Sequence, residues 1–414
     1  MSSSCRKAVL RTSIRLGIAG LAVAAAPIGA AHAADTYVKP TMDLRYEWND
    51  NFGLDPDGGS DSEAEGYIAD VEALIGIATP RSNTSLRPRV RYQDYSGREV
   101  EKFEAFLDLR SDYQWERAQL LTTGRYSRQD SYKADQQGGV FDPDDPGQPT
   151  DPGSTNNTVG EVRTRYQIAP ELTFEVTERT SLGGSVEYQA VRFDSDEIEE
   201  RDDYNYVGGT SFASFALDQR SDLRVGAYAN RYEITDGSTE TDALGGLVAY
   251  RYRWSEKAGL EANLTYEQND QTDYFPVPNE ESSSNWGGAI LGYWRGEVSS
   301  WRFSLGRSIV GTGARSKSEL DELRVQYEHN LTQRVVLTGV GRLQSRNSIS
   351  TGDVANNRDF ARGDLALRWM MNPTWYVQAG YSYIWEDRET EVSDAANNRV
   401  FVSFGYEGLG RQRR

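Results

Sequence analysis

Between Trp375 and Trp385 the chain alternates strictly. Trp375, Val377, Ala379, Tyr381, Tyr383 and Trp385 interleave with Tyr376, Gln378, Gly380, Ser382 and Ile384. A period of two over this length predicts a strand with one apolar face, and an aromatic residue at each end is the pattern of a strand crossing a membrane between two interfaces. The same period recurs at Leu260, Ala262, Leu264 and Tyr266 against Glu261, Asn263, Thr265 and Glu267. It recurs at Leu323, Val325 and Tyr327 against Arg324, Gln326 and Glu328, and at Val400, Val402, Phe404 and Tyr406. Helical spacing would mix charge into each of these apolar faces.

The strands are joined in two different ways. Short turns are expected at Thr79-Pro80-Arg81-Ser82-Asn83, near Thr177-Glu178-Arg179, at Asp218-Gln219-Arg220, at Ser255-Glu256-Lys257, at Thr332-Gln333-Arg334 and at Asn372-Pro373. Between them lie longer acidic loops, the longest from Gln129 to Asn157 with Asp142-Pro143-Asp144-Asp145-Pro146 inside it. Short periplasmic turns opposite long external loops are the asymmetry of outer-membrane barrels. The reading is therefore an all-β chain: a closed antiparallel transmembrane β-barrel of about 18 strands (16–18), an even number that returns both termini to one side. Met42–Trp48 and Arg399–Tyr406 are the expected first and last strands, and a soluble propeller or solenoid would instead bury its apolar face. A barrel this wide holds water rather than packed side chains.

Composition agrees once the pattern is known. A mean hydropathy of -0.67 with 26% charged residues excludes a helical membrane protein, but suits a barrel that shows lipid only alternate residues. At the amino terminus Arg6, Lys7, Arg11 and Arg15 precede an apolar run from Leu16 to Ala26 and then Ala31-His32-Ala33. That order is a secretory leader over residues 1–33 with Ala31 and Ala33 as the cleavage pair, since the apolar run is too short for a spanning helix. The barrel is then residues 34–406, with 407–414 as a polar, basic tail, and the destination is the outer membrane.

Cys5 and His32 fall in the leader, so thiol chemistry is excluded and His329 is the one remaining histidine. It lies beside the turn at Leu331-Thr332, at the wrong end for the histidine-dependent enzymes built on outer-membrane barrels, and no enzyme activity is expected. The first strand begins within about ten residues of cleavage, which leaves no room for a plug domain.

Three hairpin units carry a resemblance. Pro170-Glu171-Leu172-Thr173-Phe174-Glu175-Val176-Thr177-Glu178-Arg179-Thr180-Ser181-Leu182, Phe215-Ala216-Leu217-Asp218-Gln219-Arg220-Ser221-Asp222-Leu223 and Tyr252-Arg253-Trp254-Ser255-Glu256-Lys257 resemble the repeated hairpin of the beta-barrel porin family of outer-membrane proteins. The resemblance implies an outer-membrane channel, and some similar proteins accompany exopolysaccharide export. The tail beyond Tyr406 departs from the terminal aromatic strand that barrel assembly machinery normally reads.

Candidate pore residues follow from alternation. Arg87, Arg89 and Arg91 share a face opposite Leu86, Pro88, Val90 and Tyr92, and in lipid each would cost roughly 2–4 kcal/mol, so they must point inward. Arg163, Arg165, Arg251 and Arg253 are placed alike. They either draw anions or pair with Asp70, Glu72, Glu104, Asp108 and Glu187 and stiffen the wall. The whole chain is -18 and the leader holds four cations and no acid, so the exported part is four units more negative. Much of that excess lies in loops, at Asp55, Asp57, Asp61, Glu63 and Glu65, and at Asp194, Asp196, Glu197, Glu199, Glu200, Asp202 and Asp203. Such loops are ordinarily just solvated, though clustered oxygens also suit Ca²⁺ or Mg²⁺. No cofactor and no nucleic-acid partner are expected; the partners are outer-membrane lipid, lipopolysaccharide and the assembly machinery. Two functions stay open: a channel for small polar or charged solutes or a secreted polysaccharide, and a non-conducting barrel whose acidic loops bind an external partner. The Gln129–Asn157 loop is long enough to enter the pore.

Overall fold

A computed structural model of the chain describes residues 34–55, 62–98, 100–131, 161–194, 202–235, 237–274, 279–311, 317–348, 357–388 and 394–413. The leader expected over residues 1–33, the Gln129–Asn157 loop beyond Ser131, and Asp57, Asp61, Asp196, Glu197, Glu199 and Glu200 lie outside them.

The described residues form β1 (Asp35–Asn49), β2 (Ala64–Ala78), β3 (Ser82–Tyr95), β4 (Phe103–Gln114), β5 (Ala118–Asp130), β6 (Val162–Thr177), β7 (Thr180–Phe193), β8 (Tyr204–Ala216) and β9 (Ser221–Ile234). They continue with β10 (Thr239–Ser255), β11 (Ala258–Asp273), β12 (Asn279–Arg295), β13 (Ser299–Gly311), β14 (Lys317–Asn330), β15 (Val335–Ser348), β16 (Arg358–Met370), β17 (Trp375–Arg388), β18 (Ala395–Glu407) and the short β19 (Arg411–Arg413). Each of the first 17 pairs antiparallel with the next, and β1 pairs with β18 from Thr41↔Glu407 to Asn49↔Arg399, which closes the sheet. Closure is what lipid demands, because an open edge would leave a row of backbone N–H and C=O groups without partners.

The expected count of 18 holds. The end strands are longer than their alternating cores, because β1 begins at Asp35 and β18 runs from Ala395 to Glu407. Pro40 lacks an N–H and interrupts the β1 ladder opposite β18. The chain there bends through Gly408 and Gly410, with Gly408 N donating to Pro40 O at 2.8 Å and Gly410 at φ 67°. It then resumes as β19, pairing Arg411 with Val38 and Arg413 with Thr36. The polar tail thus covers the stretch of β1 that β18 leaves free.

All eight connections at the end holding both termini are tight. Two of them, Trp115–Arg117 and Gly296–Val298, are additional to the six turns expected from sequence. At the β8–β9 turn Asp218 Oδ1 accepts from Arg220 N at 2.6 Å and Ser221 N at 2.9 Å. These backbone bonds hold the exposed carboxyl below its ordinary range. Because the folded pKa is depressed, the turn's stabilisation is complete above the ordinary carboxylate pKa and is lost as pH falls through the lowered value. Amide exchange at Arg220 and Ser221 is therefore expected to accelerate only under strongly acid conditions. Acceleration already near neutral pH would contradict this.

The outer face is apolar and exposed, with Leu44 at 51%, Leu365 at 53% and Val402 at 52%. A soluble protein would cover such a wall. Paired rings ring it at two levels. Near the tight turns Tyr113 meets Trp115 at 4.5 Å and Trp375 meets Tyr406 at 4.9 Å; near the long loops Tyr46 meets Tyr67 at 5.1 Å and Tyr266 meets Trp286 at 4.7 Å. Above the second level the outer face turns charged. There Arg231 Nε donates to Asp242 at 2.9 Å and Arg307 Nε to Asp321 at 2.7 Å, where strands of up to 17 residues rise beyond the roughly 9–11 that cross lipid.

On the inner face, rings lie over cross-strand glycines. A Cβ on Gly405 would sit 2.1 Å from the Tyr376 ring, so only glycine allows that approach.

Candidate pore-lining site

Reading inward from the apolar wall, every second residue of each strand faces the barrel interior, and the sequence-selected arginines do so. On β3 they are paired with neighbouring carboxylates. Arg89 Nε donates to Asp70 at 2.8 Å, Arg91 lies 3.2 Å from Asp70 and 3.1 Å from Glu104, and Arg87 is 3.6 Å from Glu72. Asp108 holds Arg125 from β5 at 3.1 Å. Glu104 also accepts from the backbone N–H of Asp130 at 3.3 Å. In this region the arginines and carboxylates named from sequence are ion-paired with one another or with Arg125.

β6 differs. Arg163 and Arg165 are each 2% exposed. Arg165 donates to Gln189 at 2.8 Å, and Gln167 donates to Glu187 at 2.7 Å. On β10, Arg251 pairs with Glu261 at 2.9 Å and Arg253 with Asp222 at 3.2 Å, both far more exposed. The expected residues therefore occupy three separate parts of the wall and do not converge.

A denser cationic group lies on β14–β18, which the sequence reading passed over. Arg342 Nη2 binds Glu322 at 2.7 Å, Arg358 Nη2 binds Glu386 at 2.9 Å, and Arg362 Nε binds Asp364 at 2.7 Å. Arg399 of β18 approaches Asp364 at 3.5 Å. Arg324 alternates with the outward Leu323 and Val325, and Arg342 precedes the outward Leu343, so for these the signal was the one used for β3, whereas Arg358 lies between Asn357 and Asp359 and gave no such signal. What sequence could not show was how these strands align.

The β1–β2 connection turns into the barrel beside this group. Asn51 anchors it: Nδ2 donates to Ala396 O at 3.0 Å and Oδ1 accepts from Asp55 N at 2.9 Å. Phe52 packs on Ile68 and Tyr95, while Leu54, at a left-handed φ of 53°, packs on Phe360, Ile384 and Ala395. Leu54 explains why the apolar Ile384 stands on the polar face of β17. Arg342 and Arg358 flank Phe360 at 5.8 and 5.0 Å from its ring centroid. The described part of the first loop thus lies inside the barrel, and the expected entry of the Gln129–Asn157 loop falls outside the described residues.

His329 lies at the tight-turn end, as expected, its Nδ1 2.5 Å from Ser299 Oγ. Among the described residues no three acidic or histidine side chains converge as metal ligands.

No family model and no curated protein matches the chain. Solved structures do. OccAB3 of Acinetobacter baumannii matches at 10% identity and a TM-score of 0.44, over 90% of this chain and 99% of its own. Pseudomonas aeruginosa OccK2, solved with glucuronate, matches at 10% and 0.44 over 90% and 98%, and opdK of the same organism at 11% and 0.44 over 92% and 100%. The copper transporter OprC matches at 11% and 0.46 over 88% of this chain and 64% of its own. At such identities no residue role transfers, and the barrel stands on its own strand pairing and lipid-facing wall.

Proposed function

We propose that the chain is an outer-membrane channel for passive passage of small polar or charged solutes, with a preference for anions. One observation carries this reading: an 18-strand closed barrel keeps a polar, charged inner face beneath a wholly different apolar outer face. Eighteen strands enclose more space than side chains fill, so water occupies the interior. The β3 arginines are matched by carboxylates, whereas the inward-facing positions of β14–β18 carry more arginines than acids, which sets the local sign of the field a passing ion meets. Polysaccharide export has no feature of the barrel behind it and is not part of this reading.

Single-channel recording in a planar bilayer tests it. Discrete steps are expected, with a reversal potential in a KCl gradient on the chloride side of zero. A bilayer that stays closed despite verified insertion would sink the reading and favour a barrel that acts through its external loops.

A further inference from the structure

Like charges directly opposite one another in an antiparallel pair are destabilising. The β14–β17 wall breaks that rule twice over. Arg324 faces Arg342, and Arg342 faces Arg362 across the next ladder. Four residues further along, Arg346 faces Arg358, and Arg358 faces Arg388. All six alternate with outward apolar or exposed positions and so share the inner face. With Arg399 they are seven cations on one stretch of wall, and Glu322, Asp364 and Glu386 are among the carboxylates bound to them.

A second observation points the same way. Arg342 and Arg358 have side chains only 6% and 5% exposed, yet Arg342 Nη1 and Arg358 Nε have no hydrogen-bond partner. A buried N–H on a charged group that lacks an acceptor is costly, so two of them beside one ring, within a repulsive lattice, mark a place for an acceptor from solution. With Arg342 Nε and Nη2 held by Glu322 and Arg358 Nη2 by Glu386, each guanidinium keeps one further donor that a single anion could take from both, one oxygen to each. We propose that Arg342 and Arg358, on either side of Phe360 and beside Leu54, form a binding site for solutes bearing a small oxyanion, a carboxylate or a phosphate. The inference deepens the channel reading, since the site lies on the wall a solute would pass, but binding can be measured without conduction.

The test is calorimetric titration of the full chain, purified from membranes in detergent, with inorganic phosphate and separately with succinate, at constant ionic strength. Saturable binding of at least one is expected. Losing one charge-assisted donor should weaken it roughly tenfold or more in Arg342→Gln and in Arg358→Gln. Arg342→Lys, which keeps the charge and loses the guanidinium, should fall between. Arg307→Gln removes an equal charge from the outer face and should leave the affinity unchanged. Heat-modifiable gel mobility reports whether each variant is folded, and the lysine variant decides if a glutamine variant is not. Absence of saturable heat with both anions overturns the site, as does equal weakening by Arg307→Gln. Stepwise bilayer current with no anion binding would reject the site and keep the channel; anion binding without current would do the reverse.

Discussion

Glu386→Gln is expected to destabilise the barrel by about 3–5 kcal/mol, the usual consequence of removing one partner from a buried ion pair. The carboxylate is 2% exposed and serves two arginines, Arg358 at 2.9 Å and Arg388 at 2.5 Å. Glutamine keeps the shape but removes the charge, so both guanidiniums remain next to each other and to Arg346 with less to offset them. The reverse deletion should be milder. Arg358→Gln also breaks the pair, but it relieves repulsion with Arg346 and Arg388, its direct cross-strand neighbours. Urea unfolding in lipid vesicles measures both. The discriminating result is the asymmetry: equal losses, or a larger loss for the arginine variant, would mean that the lattice carries no cationic excess.

The barrel was legible because its determinants are local. Alternation from Trp375 to Trp385 needs only neighbouring residues, and the turn at Asn372-Pro373 shows its own chemistry, with Asn372 Oδ1 accepting from Thr374 N at 2.9 Å and Trp375 N at 3.0 Å. The turn at Trp115–Arg117 has no glycine, proline or asparagine and closes through backbone bonds such as Trp115 N to Ala118 O at 2.7 Å. Composition could not announce it. Gly296 did mark the β12–β13 turn.

The candidate site was legible by face and not by company. Alternation put Arg89 and Arg91 on the face opposite the apolar one, yet their partners come from β2 and β4, and which carboxylate meets which cation depends on register. Across a tight turn, register follows from symmetry, so Arg324 opposite Arg342 was within reach of the sequence. Between β15 and β16 the connection is long, and its length does not set the alignment. The opposition of Arg342 to Arg362 and of Arg346 to Arg358 therefore belongs to the assembled sheet. The inward turn of the first loop is hidden for a similar reason. Leu54 and Phe52 look like stray apolar residues in an acidic loop until Phe360 and Tyr95 supply the surfaces they cover.

The assignment of faces, on which all of this depends, predicts a sharp contrast between adjacent residues. Leu365 stands near the centre of β16, 53% exposed on the apolar side, between Gly339 and Tyr381 on the flanking strands. Leu365→Arg would place a cation against the lipid midplane and is expected to cost about 2–4 kcal/mol. Ala366 follows it in the chain and points inward, opposite Thr338 and Gly380. Ala366→Arg adds the same charge where water reaches it, so its effect on stability should be small. It would also add another cation to the wall that holds Arg362 and Arg368, and the chloride preference of the pore should rise. Vesicle unfolding and bilayer recording on this pair give two independent readouts. If Leu365→Arg is tolerated while Ala366→Arg unfolds the protein, the faces are reversed, and the apolar wall is a core rather than a lipid-facing surface.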